Sequence, residues 1–313
     1  MKIRTKSPPP NAISKTQHPK LMNWCKLAIL TDEVSQELDD VLRFAADFRL
    51  DGIEVRSLFG RAFKDLTKDD LTLIAKKSRD AGLAIAGAAS PVFKCNLDSP
   101  EEIAAHVELF KRSVEAAQIL GTDIVRVFAF LRRSHPATGD DLKRAASHFP
   151  KLLDVVRGTN IRIGIENEAS CVVGNGAETA EFWKHLPPSP QFGVVWDPCN
   201  CIYLEGANDP IRDDYPAIAE HLAHVHIKDA ARNGTKSALK CCELGKGSID
   251  FPAHLRELKS RGYRGWIALE THWRSIPLDD AIQHLPAGYS FSANAEPASR
   301  ICMATLQRWV AEA

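Results

Sequence analysis

Residues 222–270 read "LAHVHIKDAARNGTKSALKCCELGKGSIDFPAHLRELKSRGYRGWIALE". The first seven, "LAHVHIK", have the length and apolar content of a short buried strand, and alternation sends His224 and His226 to one face. A long polar loop follows. In "DFPAHLRELKSRG" (250–262) apolar residues then recur at three and four, with a glycine at the end, the pattern of an amphipathic helix. "GWIALE" (265–270) is a second strand. The stretch is therefore one strand–loop–helix–strand unit.

The same unit repeats outward in both directions. Strands are expected at 27–32, 51–57, 83–89, 123–130, 161–167 and 192–197, ahead of those at 222–228 and 265–270. Helical patterns separate them, among them "LDDVLRFAADFRL", "KDDLTLIAKKSRDAG" and "PEEIAAHVELFKRSVEAAQILG". Eight such units over roughly 250 residues predict an α/β fold, a (β/α)₈ TIM barrel forming a single domain. A doubly wound open sheet would carry a glycine-rich turn after its first strand, and "LAILTDEVSQ" has no glycine. "AEPASRICMATLQRWVAE" follows the eighth strand and would close the ring of helices.

Residues 1–25 stand apart as a basic, proline-rich segment, read as a disordered tail, with the barrel spanning 26–313. The first twenty-six residues carry six Lys/Arg, no acid and three consecutive prolines, and they lack the apolar core of a secretory signal. The net charge is zero, which gives no electrostatic attraction to nucleic acid or a membrane surface, and no apolar run has the length of a membrane span. The eight cysteines have no regular spacing, and "CNC" and "CC" lack the C-x-x-C pattern of structural zinc, so a reducing cytoplasm is expected. The partner is expected to be a small molecule. Assembly into a homo-oligomer is left open.

Chemistry in such a barrel sits where strands end. The last polar residues of strands five to eight are Glu166 in "IGIENE", Asp197 in "VVWDPCN", His226 in "HVHIKD" and Glu270 in "IALETHW". They fall about one unit apart, with a longer loop before the last. Three carboxylates meeting at one point would repel, and a divalent cation resolves the conflict. An O₃N set suits one Mn²⁺, Mg²⁺, Co²⁺ or Zn²⁺. Gly164 and Ala268 beneath these residues leave room in the upper layer. Taken singly, Asp197 or Glu166 could equally be a helix N-cap, and His224, one pleat deeper, reads better as a core histidine.

At these residues the sequence resembles the xylose isomerase-like TIM-barrel superfamily, in particular its sugar phosphate isomerase/epimerase branch. The matching pieces are "IGIENE", "VVWDPCN", "HVHIKDA", "LGKGSIDFPAHLRELKSRGYRGWIALE" and, more weakly, "LDGIEVRS". That branch holds ketose 3-epimerases and inosose dehydratases, with type IV apurinic endonucleases as distant relatives. The resemblance implies a divalent metal on Glu166, Asp197, His226 and Glu270, the two glutamates also serving as catalytic acid and base. It implies a metal-dependent isomerase or epimerase of a keto sugar or polyol derivative, working through an enediolate. The alternative is a lyase or dehydratase on the same scaffold. It further implies substrate contacts from Arg232, six residues after the histidine, and from Asn200, where many relatives have a histidine. That departure, and the lack of an Asp-x-His after strand seven, speak against an endonuclease.

Other residues are expected around the mouth. Glu54 and Arg56 share a face of strand two and either reach the substrate or form an internal salt bridge; Arg126 raises the same question. Lys228 is a substrate ligand or the partner of Asp229. His272, two residues beyond Glu270, is expected to touch substrate or else to stand behind a ligand. Arg132 and Arg133 would either grip a phosphate or lie solvated. Cys199 and Cys201 are expected to pack as small apolar side chains, and 229–250 to form part of the pocket rim.

Overall fold

The computed structural model describes residues 24–134, 136–207, 209–232, 239–276 and 292–313. Eight parallel strands form a closed barrel: β1 Lys26–Leu30, β2 Gly52–Val55, β3 Ala84–Ala89, β4 Ile124–Val127, β5 Arg162–Glu166, β6 Phe192–Trp196, β7 Leu222–Ile227 and β8 Trp266–Leu269. Each pairs with its neighbours in sequence, and β8 closes on β1 with Ala268 opposite Ala28. Seven fall within the expected stretches, and β1 starts one residue ahead of its own, at Lys26. The chain is a single-domain TIM barrel.

Alternation divides the strands into two sets. Ile29, Ile53, Val125, Ile163, Val194, Val225 and Ile267 are fully buried and join the large core between strands and helices. The other set is small: Ala28, Ala86 and Ala268 cluster with Leu30 and Trp266, and Ala223 with Ile124 and Val195. At Gly164 a β-carbon would come within 2.8 Å of Val195 Cγ2 and 2.9 Å of Ile124 Cδ1. Small residues inside the barrel let the long polar side chains of the upper layer fold inward.

Around the barrel lie α1 Leu38–Asp47, α2 Lys68–Asp80, α3 Pro100–Leu120, α4 Gly139–Ala146, α5 Phe149–Val156, α6 Gly176–Trp183, α7 Pro198–Ile202, α8 Phe251–Ser260 and α9 Ala295–Glu312. Side-chain caps start several of them: Thr67 and Thr138 form capping boxes, and Ser99, Asn175 and Asp250 accept from the first turn. No described helix is long and apolar enough to cross a membrane.

Two features depart from the pattern of strands and helices. Ser57–Leu58 pairs with Arg61–Ala62, and Asp229–Arg232 with Leu239–Cys242, as small antiparallel hairpins above the barrel. The 229–250 rim is thus partly a hairpin, whose residues 233–238 lie outside the described set. Of the expected tail, 1–23 lie outside it too. Trp24 and Cys25 already belong to the barrel: Trp24 Nε1 donates to Val310 O at 3.0 Å, and Cys25 is buried.

Candidate metal centre and active site

β5 to β8 bring the four ligand-type residues together. One atom each from Glu166, Asp197, His226 and Glu270 lies within 4.8 Å of the others, and all four residues are buried. Asp197 satisfies both readings of its sequence position. Its Oδ1 caps α7, accepting from Cys199 N at 2.9 Å and Asn200 N at 3.2 Å, while Oδ2 meets Lys228 Nζ at 2.6 Å. Asn167, the residue after Glu166, braces the tips of β5 and β6: its amide accepts from Asp197 N and donates to Asp197 O, both at 2.8 Å.

The imidazole of His226 is held between two carboxylates. Nε2 lies 3.1 and 3.2 Å from the oxygens of Glu54, and Nδ1 3.2 Å from Glu166 Oε1. Glu54 and Glu166 can only accept, so without an ion each ring nitrogen carries a hydrogen. Glu54 keeps the one on Nε2, and Nδ1, facing the carboxylate cluster, is the atom that would give up its proton to an ion. Glu54 also meets His224 Nε2 at 2.8 Å. His224 is a core histidine, as expected. Glu54 is 1% exposed and its oxygens face the two histidines, so the expected contact with substrate gives way to an internal ion pair that orients His226.

Positive groups balance the carboxylates. Arg126 Nη1 donates to Glu166 Oε2 at 2.8 Å, Lys228 bridges Asp197 and Glu270 Oε2 at 2.8 Å, and Arg56 pairs with Glu270. Arg56 further holds Asp32 and Glu33, and Arg274 also reaches Glu33. The effects on acidity follow. Burial disfavours the charge on Glu166, but Arg126 and His226 outweigh it and hold the carboxyl at about 2. Burial raises Asp197 to about 7, with repulsion from Glu270 and Glu166 opposing the pull of Lys228. Burial lowers His226, yet Glu54 and Glu166 carry it well above the usual histidine range. For His272 burial also opposes the charge, and Glu270 and Glu33 bring it to about 9. A cluster that leaves one carboxyl this reluctant to ionise is short of positive charge, and its O₃N donors fit a divalent ion of the Mn²⁺, Mg²⁺, Co²⁺ or Zn²⁺ type.

A cavity of about 440 Å³ opens above the cluster. Glu166, Glu270, Lys228, His272, Arg56 and Arg126 line its lower end. Asp197 and His226 do not reach it. His272, at φ +49°, lies 3.2 Å from Glu270 and is the most exposed of these groups.

Other expectations need correction. Asn200 is buried, its amide donating to Asn167 O at 2.7 Å, so it braces a loop and does not line the cavity. Lys228 pairs with Asp197 and Glu270 and not with Asp229, whose carboxylate accepts from the backbone of Ala230, Gly245 and Gly247. Arg132 is tied to Glu178, and Arg133 to Asp98 and Asp141, which removes both as phosphate grips. The side chain of Arg232 lies outside the described set. Cys199 and Cys201 are fully buried, as expected. Unanticipated are Asn167, the Asp32–Glu33 pair beneath Arg56, and a second wall of the cavity built by Lys64, Lys94, His106 and Phe128.

A closed barrel carrying carboxylate and imidazole groups at the ends of β5 to β8 defines a class of proteins. The chain belongs to the xylose isomerase-like TIM barrel family, whose profile matches residues 42–291. It is 26% identical over 190 residues to a ketose 3-epimerase of Arthrobacter globiformis, covering 58% of this chain and 61% of the relative. It is 21% identical over 145 residues to an inosose dehydratase of Serratia proteamaculans (strain 568), covering 42% and 48%. The chain thus spans about half to three-fifths of these relatives' length. Among solved structures, IOLI protein with a bound zinc atom superposes with a TM-score of 0.68 over 92% of this chain and 98% of that one, at 19% identity. That likeness is one of fold.

Proposed function

We propose that this protein is a divalent-metal-dependent isomerase or epimerase acting on a keto sugar or polyol derivative. One observation carries the reading: of the four ligand-type residues, only Glu166 and Glu270 open onto the cavity, while Asp197 and His226 are sealed behind them. Two groups are placed to hold an ion, and two to hold it and also meet a substrate.

A divalent ion held by Glu166, Asp197, His226 and Glu270 would supply Lewis-acid polarisation of a carbonyl and its neighbouring hydroxyl. In this reading the glutamates, which reach the cavity from β5 and β8, would flank the carbon skeleton of the substrate. One would remove the proton next to the carbonyl, and the other, protonated beforehand from solvent, would deliver its proton to the opposite face, which inverts the centre; the first then gives its proton up to solvent. Arg126 fixes the orientation of Glu166, and Arg56 with Lys228 that of Glu270. The Lys228 ammonium and His272 stand where negative charge develops on substrate oxygen. The ketose 3-epimerase match supports this chemistry. All eight cysteines are free thiols, which supports work in a reducing cytoplasm.

A dehydratase is the second reading, favoured by the inosose dehydratase match and by two proton donors, Lys228 and His272, beside the glutamates. Incubation of Mn²⁺-loaded protein with a panel of ketoses and keto-polyols in D₂O tests both. Solvent deuterium is expected at the carbon beside the carbonyl, with product mass otherwise unchanged for an epimerase and lower by one water for a dehydratase. Glu166→Gln and Glu270→Gln should each slow exchange by about 10²–10⁴-fold, metal content being measured in parallel. Exchange that persists in both variants, or is lacking across the whole panel, refutes the assignment.

A further inference from the structure

The cavity has an upper wall, away from the metal ligands, that the acid–base chemistry does not use. It is made by Lys64 after β2, Lys94 and His106 around the start of α3, and Phe128 after β4, and it meets the lower end at Arg126, which also holds Glu166. The Arg126 guanidinium stacks on Phe128 with Cζ 4.3 Å from the ring centre, and Lys94 Nζ lies 4.8 Å from the same centre. Two cations therefore converge on one apolar platform.

Arg126 is 9% exposed, and one nitrogen serves Glu166, but its Nε is buried with no hydrogen-bond partner among the described residues. A buried guanidinium N–H left unmatched is costly unless a ligand completes it. His106 Nδ1 accepts from Phe93 N at 2.8 Å, which puts the ring hydrogen on Nε2. Burial lowers its pKa, with Lys64 adding to the effect and Glu102 opposing it, so the ring stays a neutral donor. The wall holds one counter-charge of its own, Glu168, 3.5 Å from Lys94. Lys64 has no ion pair among the described residues. With Glu166 engaged by a divalent ion, the Arg126 charge is likewise less than fully matched.

We infer that the substrate is anionic, carrying a carboxylate or phosphate group that docks against Lys94, Lys64, His106 and Arg126 while its carbonyl end lies over Glu166 and Glu270. The inference rests on the proposed function, since that reading places the reacting carbon at the lower end. Charge-assisted hydrogen bonds from guanidinium and ammonium groups are the usual means of holding such a group. A cavity of about 440 Å³ can seat one sugar-sized molecule spanning both ends.

Calorimetric titration of Mn²⁺-loaded full-length protein with D-fructose, D-fructuronate and D-fructose 6-phosphate tests this. At least one anionic compound should bind about tenfold or more tightly than the neutral sugar. Lys94→Met and Lys64→Met should each remove much of that preference, and added salt should weaken it, with metal content and affinity for D-fructose unchanged. Which anion wins separates carboxylate from phosphate. Equal affinity for all three, or a preference untouched in the Lys64/Lys94 double variant, overturns the inference. Solvent-deuterium incorporation into whichever compound binds keeps the two readings apart. An anion preference without exchange upholds the upper wall and refutes the acid–base assignment; exchange on D-fructose without any anion preference does the reverse. No binding by any of the three overturns both.

Discussion

His226 shows how much at the residue scale depends on what lies behind a ligand. Its Nδ1 faces the carboxylate cluster because Glu54 occupies Nε2. Glu54→Gln keeps the shape but loses the charge, and metal affinity measured by calorimetry should fall about 10–100-fold; no change would remove Glu54 from any orienting role. A second expectation concerns pH. Asp197 ionises only at about 7, and His226 holds its proton above the usual range, so an incoming ion must displace protons from both. Metal affinity should therefore rise with pH through about 7, and titrations in buffers of different ionisation enthalpy should register proton release. The four ligand-type residues were legible because each ends a strand one unit from the next. The roles of Glu54, Lys228 and Asn200 were not. Which carboxylate an ammonium or imidazole selects is fixed by the barrel's closure, which brings β2 and β7 face to face inside it, and local sequence does not encode that.

At the scale of elements, all eight strands were readable from alternation and length, since a buried parallel strand leaves an uninterrupted apolar run. The hairpins above the barrel were not, being two to four residues long with mixed composition. Gly164 on β5 illustrates the packing that alternation only hints at. Gly164→Val would drive methyl groups into Val195 and Ile124, and a loss of about 1–3 kcal/mol in denaturant unfolding is expected. A loss within error would mean the upper layer is less tightly filled than it looks. On α8, His254 is fully buried against Tyr215, neither ring nitrogen has a hydrogen-bond partner among the described residues, and burial alone takes its pKa from 6.5 to about 3. The unfolded chain thus gains a proton that the folded one refuses. The stability His254 leaves intact above about 6.5 is lost progressively as pH falls towards 3. His254→Phe should flatten that part of the acid-unfolding curve, and an unchanged curve would assign the loss elsewhere.

For the whole molecule, barrel and site are one problem: closing the ring carries three carboxylates to one point, where Arg56, Arg126 and Lys228 meet part of their repulsion and the proposed ion would meet the rest. An ion that binds only the folded chain should stabilise it by about 2.7 kcal/mol at a hundred times its dissociation constant, so chelation should lower the melting temperature. Elemental analysis of purified full-length protein, compared with Asp197→Asn and His226→Ala variants shown by circular dichroism to be folded, goes straight to the cluster itself. The expected result is one divalent ion per chain in the wild type and none in either variant. A wild type that takes up no ion from metal-supplemented buffer, or folded variants that keep it, would contradict the account.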